Sequence, residues 1–234
     1  MLAHLPSDAS KTDHLLLLKR YGFGVPDFGR AIRSARNALA LIEQSTIQPY
    51  TKRPGRQPSL AEMKLFHLPW PADALNGLGA ADVEMRVTLS YFIEPNPAES
   101  ARGRKSRYAS HRLRFAVKTA DEDVDEFRRR INKAARTEGE VVSHVNDTGW
   151  ILGPMLRDRG SIHSDTWRGP ASDLARRGII AVYPVGGWWK ERVQHERFNS
   201  FARFSLVVTI SAPEINVDLY TDILTRISTA IETG

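Results

Sequence analysis

The sequence predicts a mainly β protein: an antiparallel, jelly-roll-like β-sandwich with a short helical N-terminal segment and one or two inserted helices. Period-two alternation of apolar and polar residues over residues 83–93 is the first reason, because it is typical of a strand that buries one face of a sheet. Several shorter segments show a similar pattern. The third reason is that the 234 residues are 41% hydrophobic, which is ordinary for a globular protein with a real core.

The N-terminal segment predicts helices. An apolar run at Leu15–Leu18 reads as a helix end, and Asp27 can cap a helix that follows it. Residues at helical spacing would share one face of that helix: Ala31, Ile32, Ala35, Ala38, Leu39 and Ile42. The prolines and the glycine within residues 48–59 predict a linker. The chain therefore divides into a helical segment at 1–47, a linker at 48–59 and a β-sandwich at 60–234.

The β-sandwich region contains five predicted strands and two predicted helices. The strands are expected near residues 63–68, 83–93, 113–117, 179–185 and 204–210. The first helix is expected over Asp121–Arg136, because acids at its start and bases at its end match the helix dipole. The second is expected over Asp218–Ile231. Consecutive strands with few helices between them favour an antiparallel sandwich.

Composition limits the possible functions. The chain has no cysteine, which excludes disulfides, thiolate metal sites and thiol nucleophiles, and which fits a cytoplasmic location. Its N-terminus does not read as a secretory signal, and Leu15–Leu18 is too short to span a bilayer, so no membrane partner is expected. The formal net charge of +6 adds some attraction for anions.

The segment YGFGVPDFGRAIRSA, residues 21–35, resembles the end of the catalytic domain of subtilisin-like serine proteases. Further stretches are similar to one group of large bacterial subtilases, so the resemblance covers nearly the whole chain. These stretches are Leu68–Leu75, Val83–Pro97, Arg107–Phe115, Gly160–Trp167, Ile179–Arg192 and Arg203–Ile210. The resemblance implies a C-terminal part of such a protease.

The catalytic segments of the family are missing. A subtilase carries Asp-Ser/Thr-Gly, His-Gly-Thr and Gly-Thr-Ser in that order before the glycine turn, and the last two occur nowhere in this chain. The resemblance thus implies a non-catalytic accessory region with no cofactor, which braces a protease domain and presents substrate or a partner. Its expected partner is a subtilase catalytic domain, upstream or on a separate chain. Family relatives also suggest an AAA-type ATPase.

Two short motifs look catalytic in isolation. Asp147-Thr148-Gly149 matches the subtilase aspartate tripeptide but follows the glycine turn, so it is interpreted as turn chemistry. His163-Ser164-Asp165 contains the three residue types of a triad, yet side chains of adjacent residues point apart and triads assemble from distant positions. Ser161, Ser164 and Asp165 are therefore expected to satisfy local backbone groups in a loop.

Two sets of residues are candidates for binding. Arg104, Lys105, Arg107 and Arg112 lie in a basic run that could bind anions. Nucleic acid is the alternative partner for this run, and the simpler interpretation is a solvated loop followed by the outer face of a strand that includes Arg114. Trp188, Trp189 and Lys190 could form a lip for substrate or a partner, or else an aromatic plug. The seven histidines are scattered and predict no zinc site.

Overall fold

The computed structural model describes residues 38–48, 50–51, 59–60, 63–93, 101, 112–136, 147–158, 160–185, 201–212 and 219. One antiparallel sheet has four strands: β1 (Ala38–Ile47), β5 (Asp82–Tyr91), β7 (Ile162–Pro170) and β9 (Ala202–Ser211). They are arranged in the order β1-β9-β5-β7.

A second antiparallel sheet has three strands: β4 (Lys64–His67), β6 (Leu113–Val117) and β8 (Ile179–Pro184). They are arranged in the order β4-β8-β6. Short strands β2 (Tyr50–Thr51) and β3 (Ser59–Leu60) pair with each other.

Four helices are described: α1 (Ala72–Leu78), α2 (Val124–Arg136), α3 (Pro154–Arg157) and α4 (Ala171–Leu174). None of the helices in the described ranges has the length and apolar composition needed to cross a bilayer.

The main core lies between the two sheets, which confirms the predicted antiparallel β-sandwich. Strand β5 shows why: its odd-numbered residues are buried and its even-numbered residues are not, as the sequence alternation requires. From the four-stranded sheet the core receives Val83, Met85, Val87, Leu89, Phe204, Leu206, Val208 and Ile210. From the three-stranded sheet it receives Leu113, Phe115, Val117, Ile180 and Val182. Burial of each large apolar side chain stabilises the fold by roughly 1.5–3 kcal/mol.

Helix α2 covers the other face of the three-stranded sheet. Its Phe127 and Ile131 pack with Ala116, Ala181 and Tyr183 in a second buried cluster. The helix starts with a reciprocal cap, because Asp123 Oδ1 accepts the Glu126 N–H at 2.7 Å and Glu126 Oε2 accepts the Asp123 N–H at 3.1 Å. The helix predicted over Asp121–Arg136 is therefore confirmed, beginning at Val124.

The five predicted strands are confirmed as β4, β5, β6, β8 and β9. The helix predicted through Ala38, Leu39 and Ile42 is wrong there, because these residues belong to β1 and pair with β9 over ten residues. Cross-strand pairing and burial of alternate side chains outweigh the helical spacing of the apolar residues. Residues 1–37 lie outside the described part of the chain.

Strand β1 belongs to the four-stranded sheet, although it comes from the segment before residue 47. The division of the chain at residues 47 and 59 stays a prediction. Of the helix predicted over Asp218–Ile231, the structure describes Leu219 alone, which is buried in the main core.

Candidate functional site

Strand β7 and helix α3 bring charged side chains into the core. In β7, His163, Asp165 and Trp167 are buried, while Ser164 between them is only partly buried. Helix α3 ends at Arg157, and both Arg157 and Asp158 carry side chains that are at most 6% exposed. The loop predicted for Ser164 and Asp165 is wrong, because residues 162–170 pair with β5 along their whole length. We call Arg114, Arg157, Asp158, His163 and Asp165 the buried ionic cluster.

Asp165 is the anchor of the buried ionic cluster. Its carboxylate accepts backbone N–H groups of Leu152, Gly153 and Thr166 at 2.8–2.9 Å, so the prediction that this side chain satisfies local backbone groups is confirmed. Arg157 Nη1 lies 3.4 Å from Asp165 Oδ2. Burial raises the pKa of Asp165, while the Arg157 guanidinium and the three N–H groups oppose that rise.

The Arg157 guanidinium also joins the two sheets. Its Nη2 donates to the carbonyl oxygen of Phe115 on edge strand β6 at 3.1 Å. Its Cζ lies 4.1 Å from the Phe115 ring centroid and 4.9 Å from that of Trp150. A buried guanidinium between two aromatic rings gains cation–π attraction in addition to its ion pair. Arg157 therefore holds β6, β7 and the aromatic core together.

Asp158 is the second acid of the buried ionic cluster. Its Oδ2 lies 2.5 Å from Arg114 Nε, and its Oδ1 lies 3.4 Å from His163 Nδ1. Burial raises the pKa of Asp158, and the charges of Arg114 and Arg157 partly reverse that effect. Arg114 was expected in a solvated basic run, which is wrong: it lies in β6, is 7% exposed and is paired with this acid. A buried cation needs such a partner, because its desolvation is otherwise very costly.

His163 is buried between Asp158 and Tyr91. Its Nε2 lies 3.1 Å from the Gly160 carbonyl oxygen and 3.4 Å from the Tyr91 hydroxyl. The rings of Tyr91 and His163 meet edge to face at 5.4 Å. Burial lowers the pKa of His163 to about 4 and raises the pKa of Tyr91 to about 12. Both rings are therefore neutral at pH 7.

The hydrogen bonding of His163 is the reverse of what a serine protease needs. A carbonyl oxygen only accepts, so the contact of Nε2 with Gly160 favours the neutral tautomer that carries its proton on Nε2. Asp158 Oδ1 lies farther away, 3.4 Å from Nδ1. A catalytic histidine instead has its Nδ1 proton directed at the aspartate and a free Nε2 that takes the proton of the nucleophile. Ser164 does not replace the missing nucleophile, because its Oγ forms a hydrogen bond with Thr88 Oγ1 at 2.8 Å.

A separate polar centre forms around Asp147. Its carboxylate accepts the indole N–H groups of Trp150 at 2.8 Å and Trp167 at 3.2 Å, and two Arg177 N–H groups at 2.6 and 3.1 Å. The Arg177 guanidinium also lies 4.4 Å from the Trp167 ring centroid. The turn predicted at Asp147-Thr148-Gly149 is confirmed, with a backbone turn at residues 148–149. The aspartate thus organises two tryptophans and an arginine, and no histidine or serine of the described ranges bonds to its side chain.

The residues predicted from sequence to bind ligands are mostly outside the described part of the chain. This applies to Trp188, Trp189, Lys190, Arg104, Lys105 and Arg107. Arg112 is described and partly buried, and its carbonyl oxygen accepts the Val185 N–H at 2.7 Å. Its charge lies close enough to the buried ionic cluster to oppose protonation of His163. The four residues therefore remain a predicted anion site.

Sequence reasoning missed the acids and arginines that the fold brings together. Asp158 and Arg157 gave no signal, because neighbouring charges at the end of a short helix are usually solvated. Asp165 could have been found by its place between His163 and Trp167 at alternate positions. A charged residue on an otherwise buried strand face needs a buried partner.

No metal site is evident in the described ranges, where no three histidine, aspartate or glutamate side chains converge. No protein-family model, curated protein or solved structure matches this chain. The similarity to subtilases therefore stays an interpretation of the sequence.

Proposed function

We propose that this chain is a non-catalytic C-terminal accessory region of a subtilisin-like serine protease, which braces the protease domain and presents substrate or a partner. The ordered set of subtilase-like segments supports the proposal. Six of the seven segments overlap an element of the fold, namely α1, β5, β6, β7, β8 or β9. The seventh, residues 21–35, lies outside the described part of the chain. The resemblance thus involves the residues that form the sandwich core.

The observation that carries the non-catalytic role is the contact of 3.1 Å between His163 Nε2 and the Gly160 carbonyl oxygen. A histidine that donates from Nε2 to a carbonyl oxygen does not accept a proton from a serine at that atom. Its pKa of about 4 also lies far below the operating pH at which a general base works best. The other histidine that the structure describes, His67, lies exposed at the end of β4.

The proposal includes a cytoplasmic location, since a chain without cysteine needs no oxidising compartment. The proposed partner is a subtilase catalytic domain, preceding this region or on a separate chain, with an AAA-type ATPase as a further component of the same assembly. Pairing of Arg114 with Asp158 removes one cation from the basic run, which weighs against the nucleic-acid alternative.

The test is incubation of the purified chain with a serine-directed fluorophosphonate probe and with casein, using subtilisin as the positive control. The proposal predicts no covalent labelling and no turnover. Labelling of any serine of this chain, mapped by peptide mass spectrometry, would overturn it. The subtilase origin is tested separately by reading the DNA upstream of the codon for Met1. His-Gly-Thr and Gly-Thr-Ser segments are expected there, and a different coding sequence would contradict that origin.

A further inference from the structure

A groove of about 590 Å³ crosses the outer face of the four-stranded sheet where β1 and β5 end and β9 begins. The inward side chains of β5 and β9 form the core, and the alternate, outward positions face the groove. Three inward residues, Ser45, Tyr91 and Phe204, complete its lining. Cross-strand partners Gln44, Ser205 and Ser90 form one row. Thr46 and Arg203 form the next row, which Phe92 joins beyond the end of β5.

The polar side chains of this sheet face pair with each other away from the groove. Thr88 bonds Ser164 at 2.8 Å, and Arg86 Nε donates to Thr166 Oγ1 at 3.2 Å. Farther along, Arg168 forms an ion pair with Glu84. Hydroxyl and guanidinium groups on this part of the face therefore already have protein partners.

Two polar residues of the groove have partners, because Ser45 accepts a hydrogen bond from Lys64 and Tyr91 donates one to Gly160. The outward polar side chains of the groove have no such partner among the described residues. In the part of the chain that the structure describes, no side-chain hydrogen bond or ion pair involves Gln44, Thr46, Ser90, Arg203 or Ser205. Five outward polar side chains without a partner among the described residues thus lie together on one open surface. Beside them, Phe92 is 70% exposed.

We propose that this groove binds an acidic peptide, with a peptide carboxylate on Arg203 and an apolar peptide side chain against the Phe92 ring. Arg203 is the charged member of the lining residues, and its planar guanidinium matches the two oxygens of a carboxylate. Gln44 and the hydroxyls supply donors and acceptors for peptide amides. A small carboxylate alone would leave the aromatic ring and the amide-binding row unused.

The size of the groove fits this ligand, since ligand sites in proteins typically measure about 300–1,000 Å³. The inference deepens the proposed function, because it names the class of peptide that an accessory region would hold for a protease. It rests on that function for its biological context, while the groove itself is argued from its own side chains.

The test measures fluorescence anisotropy of a fluorescein-labelled hexapeptide of alternating Glu and Leu, against a matched peptide with Gln in place of Glu. We expect the acidic peptide to bind the intact chain about tenfold more tightly than the neutral one. Arg203→Gln should weaken the acidic peptide about tenfold and abolish the preference. Phe92→Ala should weaken both peptides, because both carry the apolar side chains.

The control is Arg168→Gln, which removes the same charge from the same sheet face at a residue already paired with Glu84. Its affinity for the acidic peptide should equal that of the unmodified chain. The groove proposal would be overturned if the two peptides bound with equal affinity or if neither bound. It would also be overturned if Arg203→Gln kept both a native circular dichroism spectrum and the full affinity for the acidic peptide. Cleavage of the bound peptide, detected by mass spectrometry, would instead overturn the non-catalytic role and leave the groove in place.

Discussion

Replacing Asp147 by alanine should cost more stability than any exposed aspartate can contribute. The substitution removes the acceptor for two indole N–H groups and two guanidinium N–H groups. It also leaves Arg177, which is 5% exposed, without its carboxylate. Breaking a buried ion pair on one side costs about 3–5 kcal/mol, and each indole donor left unsatisfied adds about 1–3 kcal/mol.

These contributions are not additive, because all the donors share one carboxylate. Water can also reach the gap, since the Asp147 side chain is itself 12% exposed. We therefore expect Asp147→Ala to lower the free energy of unfolding by about 4 kcal/mol. Asp147→Asn keeps one carbonyl acceptor of the same shape and should lose about half as much, roughly 2 kcal/mol. A domain of ordinary stability, about 5–15 kcal/mol, survives both changes.

Urea denaturation followed by tryptophan fluorescence provides the measurement, because the indoles of Trp150 and Trp167 both contact the mutated site. The matched control is Asp173→Ala, since Asp173 pairs with Arg176, whose side chain is 52% exposed. Exposed pairs of this kind contribute about 0.2–1 kcal/mol. The reasoning about buried charge would be refuted if the free energy of unfolding of Asp147→Ala lay within about 1 kcal/mol of that of the unmodified chain. A urea midpoint for Asp147→Ala no lower than that of the control would refute it as well.

Two further outcomes are expected from the same assay. His163 has a pKa of about 4 in the folded chain and about 6.5 when unfolded, so the unfolded chain binds more protons between these values. The free energy of unfolding should therefore fall by up to about 1.4 kcal/mol per pH unit as the pH drops from about 6.5 to 4. The raised pKa of Asp158 offsets part of this fall near pH 4, because the folded chain binds that proton more readily than the unfolded chain. His163→Gln should reduce this slope, and an unchanged slope would mean that His163 is not the group responsible. Gly149→Ala should lower the free energy of unfolding by about 1–3 kcal/mol, because a Cβ there would overlap the Trp167 indole. Gly77→Ala has open space around its Cβ and should be at least as stable as the unmodified chain. Equal stability of the two glycine variants would contradict the close packing at residue 149.

The sequence predicted the strands in which apolar and polar residues alternate without interruption. Strand β5 is the clear case, because its buried positions are all apolar or tyrosine and its other positions all polar or charged. Strand β7 was missed because it contains Ser164, Asp165, Gly169 and Pro170, which individually favour turns. Pairing with β5 along nine residues outweighs those local preferences.

Strand β1 shows the opposite failure. Its residues 38–42 are Ala, Leu, Ala, Leu and Ile, which satisfy helical spacing and strand alternation equally well over so short a length. Only the ladder to β9, about 160 residues later in the chain, decides between the two. Periodicity within a segment contains no information about that distant partner.

The polar centres were less predictable than the strands. The turn at Asp147 follows from local chemistry, but its partner Arg177 is thirty residues away and is brought close only by the sheet. The same holds for Asp158 and Arg114, which lie on different elements. Buried charges obey a rule about pairs, and the sequence does not say which charges the fold will pair.

The protonation of His163 tests most directly whether the buried ionic cluster contains a catalytic base. The measurement is a proton–carbon NMR titration of its imidazole in the intact folded chain, with His163→Gln used to assign the signal. A midpoint of about 4, with the ring neutral and its proton on Nε2 at pH 7, is the predicted result. A midpoint near 7 with the proton on Nδ1 toward Asp158 would contradict the account, because that is the state in which a histidine can activate a nucleophile.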